Sequence, residues 1–194
     1  MRRKTLDSLL TTGGLVLALI LIVAGSLLTW GNSFVTSQVH DQLAAQKIFF
    51  PEKGEATASP KIGPYIDQYA GQQLVTGEQA RAYADHYIAV HLADLSGGKT
   101  YSELSNASRA NPDDAELAGL VQTAFRGETL RGLLLNAYAF GKMGQVALIA
   151  AIASFIGAGV MLLLSLLGFA HLRRVSPDEE VLTIPARRTV PVTA

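Results

Sequence analysis

The sequence predicts an all-α protein: a two-span transmembrane helical hairpin carrying a helical, bundle-like extracytoplasmic domain. Three observations lead there. Leu9–Trp30 and Val146–Phe169 hold no charged residue over 22 and 24 positions. At about 1.5 Å of rise per residue, each is long enough to cross roughly 30 Å of hydrocarbon. Between them, apolar residues recur at helical spacing behind three separate cap signals, and no stretch alternates as a strand would.

Composition and charge set the expected topology. The chain of 194 residues is 49% hydrophobic, with a net charge of zero that is unevenly spread. The two ends carry seven Lys/Arg against four Asp/Glu, and the middle carries nine against twelve. Basic residues just outside both runs place both termini in the cytoplasm of a plasma-membrane protein by the positive-inside rule. The expected order is a cytoplasmic start at 1–8, a span at 9–30, an extracytoplasmic domain at 31–145, a span at 146–169 and a cytoplasmic tail at 170–194. The mildly acidic middle gives no reason to expect a nucleic-acid partner. There is no cysteine, so the outer domain must be held by helix packing and not by disulfides.

Taken in order, the first run starts with Met1-Arg2-Arg3-Lys4 and has small residues at Ala24-Gly25-Ser26, as a signal peptide would. Its apolar stretch is longer than a typical signal core and continues to Trp30, an interfacial aromatic, so an uncleaved anchor is expected. Gly14, Ala18 and Gly25 share one face of this span. Ala150, Ser154 and Ala158 line one face of the second, with Ala153 and Gly157 beside them. Small residues at this spacing let helices approach closely in a lipid bilayer, which suits packing of the two spans or a homo-oligomer.

Beyond Trp30 the helix is expected to continue, with Val35, Val39, Leu43, Ile48 and Phe49 near a helical period, until Pro51 and Gly54. Pro51 to Val75 holds three prolines and three glycines in 25 residues. It reads as a long irregular connection with one short turn near Tyr65–Ala70, either a binding segment or surface wrapping. Thr76 with Gln79 forms a capping box for a helix running to about Leu95, with a stripe of Ala80, Tyr83, Ala84, Tyr87, Ile88, Leu92 and Leu95. Ser96-Gly97-Gly98 ends it. Thr100 with Glu103 caps a short helix to about Arg109. Asn111-Pro112-Asp113-Asp114 starts a third helix, with Asn111 as the cap. That helix leads towards the second span, with Gly141 and Gly144 as breaks at the interface. The tail from Val175 on has no period and three prolines, and reads as disordered or a docking peptide.

The chemistry-bearing residues are few. His86 and His91 are five apart and so point roughly 140° away from each other on a helix, which does not suit shared metal ligation. No phosphate loop, nucleophile elbow or paired-carboxylate motif is present. Asn106-Ala107-Ser108 fits a glycosylation sequon, a pattern common by chance. Tyr83 and Tyr87, with Tyr65, Tyr69 and Tyr101 nearby in sequence, form a tyrosine-rich face that could line a pocket or pack between helices, and His91 lies at the edge of the apolar stripe as a packed histidine or a ligand. Arg126 and Arg131 lie within the charged run Phe125–Gly132 and, if near the outer membrane surface, could meet lipid phosphates or a partner, or else belong to a solvated face. Tyr83, Tyr87, His91, Arg126 and Arg131 are the candidate ligand or partner surface. No catalytic residue, metal ligand or cofactor is expected.

The segments MRRKTLD, LLTWGNSFV, VHDQLAAQKIFFP, YAGQQLVTGEQARAYADHYIAVHL and FRGETLRGLLLNAYAFGKMG run nearly the full length of the chain. In them it resembles an uncharacterised family of two-span actinobacterial membrane proteins. Members often carry the label of aromatic ring-opening dioxygenase. Such enzymes need a metal site of histidines and a carboxylate, and this sequence offers no matching arrangement. The resemblance therefore implies topology and location and no activity. The function expected is that of a non-enzymatic accessory or scaffold protein contacting other cell-envelope proteins. The alternative is a sensor-like small-molecule-binding module that signals through a partner.

Overall fold

The computed structural model describes residues 3–54 and 57–174. The described residues form helices α1 (Arg3–Gln46), α2 (Gly63–Ile66), α3 (Gly77–Ala82), α4 (Ala89–Ser96), α5 (Tyr101–Ala110) and α6 (Ala115–Leu172). A 3₁₀ turn (Asp67–Tyr69) follows α2, and a π-helical segment (Tyr83–Ile88) joins α3 to α4. There is no strand among the described residues, only an isolated bridge between Phe49 and Gln73. The residues of the tail from Val175 on lie outside the described part.

Helices α1 and α6, of 44 and 58 residues, are both long and apolar enough to cross a membrane. In their most apolar windows only 17% and 11% of residues are buried. A core helix of a water-soluble protein would bury most of such a window, whereas these helices turn leucine, isoleucine and valine outwards. The chain divides into two compact units, Met1–Leu28 with Ile149–Ala194, and Thr29–Leu148.

In the first unit the two helices meet through small side chains. Thr11 and Ala18 on α1 are buried, as are Ala151, Ala158 and Ser165 on α6. A Cβ on Gly14 would fall 2.6 Å from Ser165 Oγ, and one on Gly25 would touch the Phe155 ring at 3.0 Å. This is the close backbone approach that small residues permit in lipid. Gly14, Ala18, Gly25, Ser154 and Ala158 lie on the seam as their spacing predicts. The α6 face is centred on Ala151, however, and Ala153 is exposed.

The second unit has its own core. Val39 and Leu43 of α1, Phe50, Ile62, Ile66 and Leu74 of the connection, Ala80, Ala84 and Ile88, and Leu134 of α6 are buried together. Lys47, at φ 53°, ends α1 in the left-handed region. The turn changes the expected register: Phe49 is 56% exposed, and Phe50 enters the core at 2%. The connection is then tied back to the start of its own loop. Leu74 N donates to Ile48 O, Phe50 N to Gln72 O, and Gln73 Nε2 to Ala44 O at the open end of α1.

The capping boxes at Thr76/Gln79 and Thr100/Glu103 form as their sequences predict. Gly97 closes α4 at φ 60°, a conformation that glycine adopts without a Cβ penalty. Three sequence expectations are corrected. The helix after Thr76 is not uniform, because Tyr83–Ile88 is π-helical and Ala89 N bonds to Ala84 O, five residues back. That wider turn keeps the inward stripe at steps of four, through Ala80, Ala84 and Ile88 to Ser96, and Leu95 is left 61% exposed. The start of α6 is capped by Asp114, whose Oδ1 accepts from Leu117 N, while Asn111 Nδ2 donates to Ala107 O and closes α5. Finally, Gly141 and Gly144 do not break α6. A Cβ on Gly144 would meet Asn32, Val35 and Thr36 of α1 at 3.4–3.6 Å, so it serves close packing.

Candidate binding surfaces

Tyr83, Tyr87 and His91 do come together, as a ladder along the π-helical segment and α4. The Tyr83 ring meets Phe50 edge-on at 5.3 Å, Tyr87 lies 4.8 Å beyond it, and His91 4.4 Å beyond Tyr87. His91 Nδ1 is 2.7 Å from Tyr87 O, so it carries the proton there and a neutral ring leaves Nε2 as an acceptor towards solvent. Burial, and next the neighbouring Tyr87, raise the Tyr83 phenol above its ordinary value. The two tyrosines thus pack their rings while remaining partly exposed, and His91 at the end of the ladder is the most exposed of the three.

Arg126 and Arg131 lie on α6. Arg126 is exposed. Arg131 Nη2 is 3.4 Å from Asp85 Oδ1 and its Nη1 3.3 Å from Glu128 Oε2, so it bridges the π-helical segment to α6. Asp85 also pairs with Arg81 at 3.6 Å. Twenty and fifteen residues before Val146, the two arginines stand about 30 and 22 Å along the helix from the apolar run.

Two concave surfaces of this unit were not singled out by sequence. The first is a groove of about 440 Å³ between α1 and α6. Val39 and Leu43 form its floor, Phe34, Leu133 and Phe140 its rims, and Gln38, Gln42, Gln46 and Asn136 line it as amides. No lining residue is charged. Phe34, Leu133 and Phe140 are 53–58% exposed, although they lie outside the two uncharged runs. The sequence signal was there: glutamines at 38, 42 and 46 repeat at one helical face beside Val39 and Leu43.

The second is a cleft of about 410 Å³ with mixed walls. Asn32, Thr36 and His40 climb one side on α1, and Lys142 and Gln145 of α6 face Glu78 of α3. Lys142 Nζ pairs with Glu78 Oε1 and reaches Gln145 Oε1 at 3.0 Å. The hydrogen bond that the Lys142 ammonium donates to Glu78 raises it above its ordinary value, so it stays charged. Arg81 donates to Tyr138 Oη at 2.9 Å at the cleft's upper edge. Near it, His86 stacks flat on Tyr65, with 3.6 Å between ring centres.

Among the described residues, no group of three or more His, Asp or Glu is arranged to hold a metal ion. Comparison with protein-family models, with curated proteins and with solved structures gives no match for this chain.

Proposed function

We propose that this chain is a non-enzymatic accessory or scaffold protein of the plasma membrane. In this reading it crosses the bilayer twice, keeps both termini in the cytoplasm and holds residues 31–145 outside as a helical docking domain. The excess of Lys/Arg at both ends supports the orientation, and the resemblance to two-span actinobacterial membrane proteins agrees with it. The observation that carries the function is the uncharged groove between α1 and α6. Its apolar floor, aromatic rims and row of amides suit one occupant, an amphipathic helix of a second envelope protein. A row of amides gives that helix hydrogen bonds without the desolvation cost of charge. The docking face of the partner is therefore apolar and uncharged.

A second reading has one observation in its favour. A concave, mainly apolar site of about 440 Å³ with a few polar groups also has the size of a small-molecule site. The chain would then be a sensor-like module that signals through a partner.

Site-specific photo-crosslinking from Gln42 in intact cells tests both. Under the accessory reading, a single membrane protein is captured in near-stoichiometric yield, and the crosslink maps to one of its amphipathic helices. Leu133→Ser with Phe140→Ser, both at exposed rims, abolishes that capture. Equal capture by the doubly substituted chain, or no capture at all, overturns it. A rise in melting temperature with a small apolar molecule, lost in the same double variant, would establish the sensor reading instead.

A further inference from the structure

We propose that the cleft between α1, α3 and α6 binds a phospholipid headgroup that carries both a phosphate and a primary ammonium. The inference rests on the membrane reading above and concerns a different surface from the groove. Its first support is placement. The cleft's lining begins at Asn32, two residues after Trp30, and includes Lys142 and Leu148, which bracket the start of the second uncharged run. Lys142 stands four residues before Val146, about 6 Å along the helix, which is the level of headgroup phosphates.

The second support is the chemistry of the walls. The floor is apolar through Val39, Val75 and Leu148, while Asn32, Thr36 and Gln145 offer hydrogen-bonding groups above it. One cation, Lys142, and one anion, Glu78, line the cleft, so it matches a zwitterion better than a net anion. Lys142 and Glu78 are 44% and 45% exposed and pair with each other. A half-exposed pair of this kind is worth little net in water and opens readily to a ligand that satisfies both partners. A phosphate would take the Lys142 ammonium in a charge-assisted bond, and the ligand's own ammonium would donate to Glu78. Gly77, in the wall beside Glu78, packs closely against the α6 backbone near Tyr138.

This arrangement discriminates among headgroups. A quaternary ammonium has no N–H to give Glu78, and a glycerol headgroup brings no positive charge. The full-length protein, purified in mild detergent, is offered an equimolar mixture of phosphatidylethanolamine, phosphatidylcholine and phosphatidylglycerol and read by native mass spectrometry. Competition within one spectrum is independent of small changes in stability. Phosphatidylethanolamine should be retained several-fold over the other two. Glu78→Gln should lower its ratio to phosphatidylglycerol about fivefold, and Lys142→Gln should weaken both lipids. Equal retention of the three lipids, or a ratio unchanged by Glu78→Gln, overturns the proposal. Soluble phosphoethanolamine serves as a separate arm: binding as tight as that of the lipid would assign the site to a free metabolite and overturn the lipid source. Alkaline extraction of membranes keeps the two readings apart. Release of the protein into the supernatant refutes the membrane reading, whereas an absent preference in protein that stays in the pellet refutes only the headgroup site.

Discussion

Gly77→Ala should destabilise the protein although alanine is the better helix former. A methyl group at Gly77 would lie 3.1 Å from Tyr138 Cα and 3.2 Å from Ala137 O. Carbon atoms in good contact stand about 3.5–4.0 Å apart, so α3 would have to retreat from α6 by about half an ångström. Both obstructing atoms are backbone within α6, and no rotamer change can clear them. Overpacking of this kind costs roughly 1–3 kcal/mol, and the gain in helix propensity offsets at most about 1 kcal/mol. The net loss is about 1–2 kcal/mol. For a chain of this size that corresponds to a melting temperature lower by roughly 2–8 °C. Gly132→Ala is the control, because Gly132 lies inside α6 with nothing within 4 Å of its would-be Cβ. It should gain up to about 1 kcal/mol from propensity alone and melt a few degrees higher. Thermal unfolding of the full-length chain in detergent, followed by circular dichroism at 222 nm, reads both. A Gly77→Ala melting point at or above wild type, or equal losses in the two variants, would refute the packing argument.

Phe50→Ala should cost about 3–5 kcal/mol by emptying a core position, whereas Phe49→Ala, one residue away and exposed, should stay within about 0.5 kcal/mol of wild type; denaturant titration separates them. Thr100→Ala should remove the cap of α5 at a cost of about 1 kcal/mol, seen as faster amide exchange in Tyr101–Ala110. The same cap holds the Glu103 carboxyl below its ordinary range through hydrogen bonds from Thr100. Its contribution is therefore present above the unfolded value and is lost as pH falls through the lower folded one, so acid should loosen α5 in wild type, less in Thr100→Ala, which keeps the larger backbone hydrogen bond, and not in Glu103→Gln. Tyr83 titrates in the opposite sense. Burial raises its phenol above 10.0, so its contribution is complete below about pH 10 and is lost as pH rises through the higher folded value. Absorbance at 295 nm should show a late-titrating tyrosine that Tyr83→Phe removes.

What could be read from the sequence was what neighbouring residues decide. Thr76 with Gln79, Thr100 with Glu103, and Gly97 each settle a helix end within four positions, and all three ends formed as their residues dictate. The uncharged runs and the small residues on their faces were equally plain. Features fixed by partners distant in sequence were not. Lys47 adopts a left-handed turn because the chain must bring Ile48 and Phe50 against Gln72 and Leu74, and no local pattern announces it. The π-helical turn is likewise a tertiary choice: it keeps Ala84 and Ile88 inward against Leu134, and a regular 3.6-residue count would have brought Leu95 inward. Tyr83, Tyr87 and His91 stand four residues apart, so a helical count brings their rings together. Glu78 and Lys142 pair across 64 positions, and no local pattern announces that.

The seam of Thr11, Gly14, Ala18, Ala151, Ala158 and Ser165 divides the two apolar helices into positions with unequal freedom to vary. If the two helices span a bilayer, as proposed, outward positions such as Leu19, Ile20, Ile156 and Leu163 accept any branched or straight aliphatic chain, because lipid makes no demand on shape. Seam positions accept almost nothing larger than what they hold. In a saturation library of these helices, the surviving variants would therefore be rich in aliphatic exchanges on three sides and nearly silent along one narrow line. That line alone would identify which residues touch.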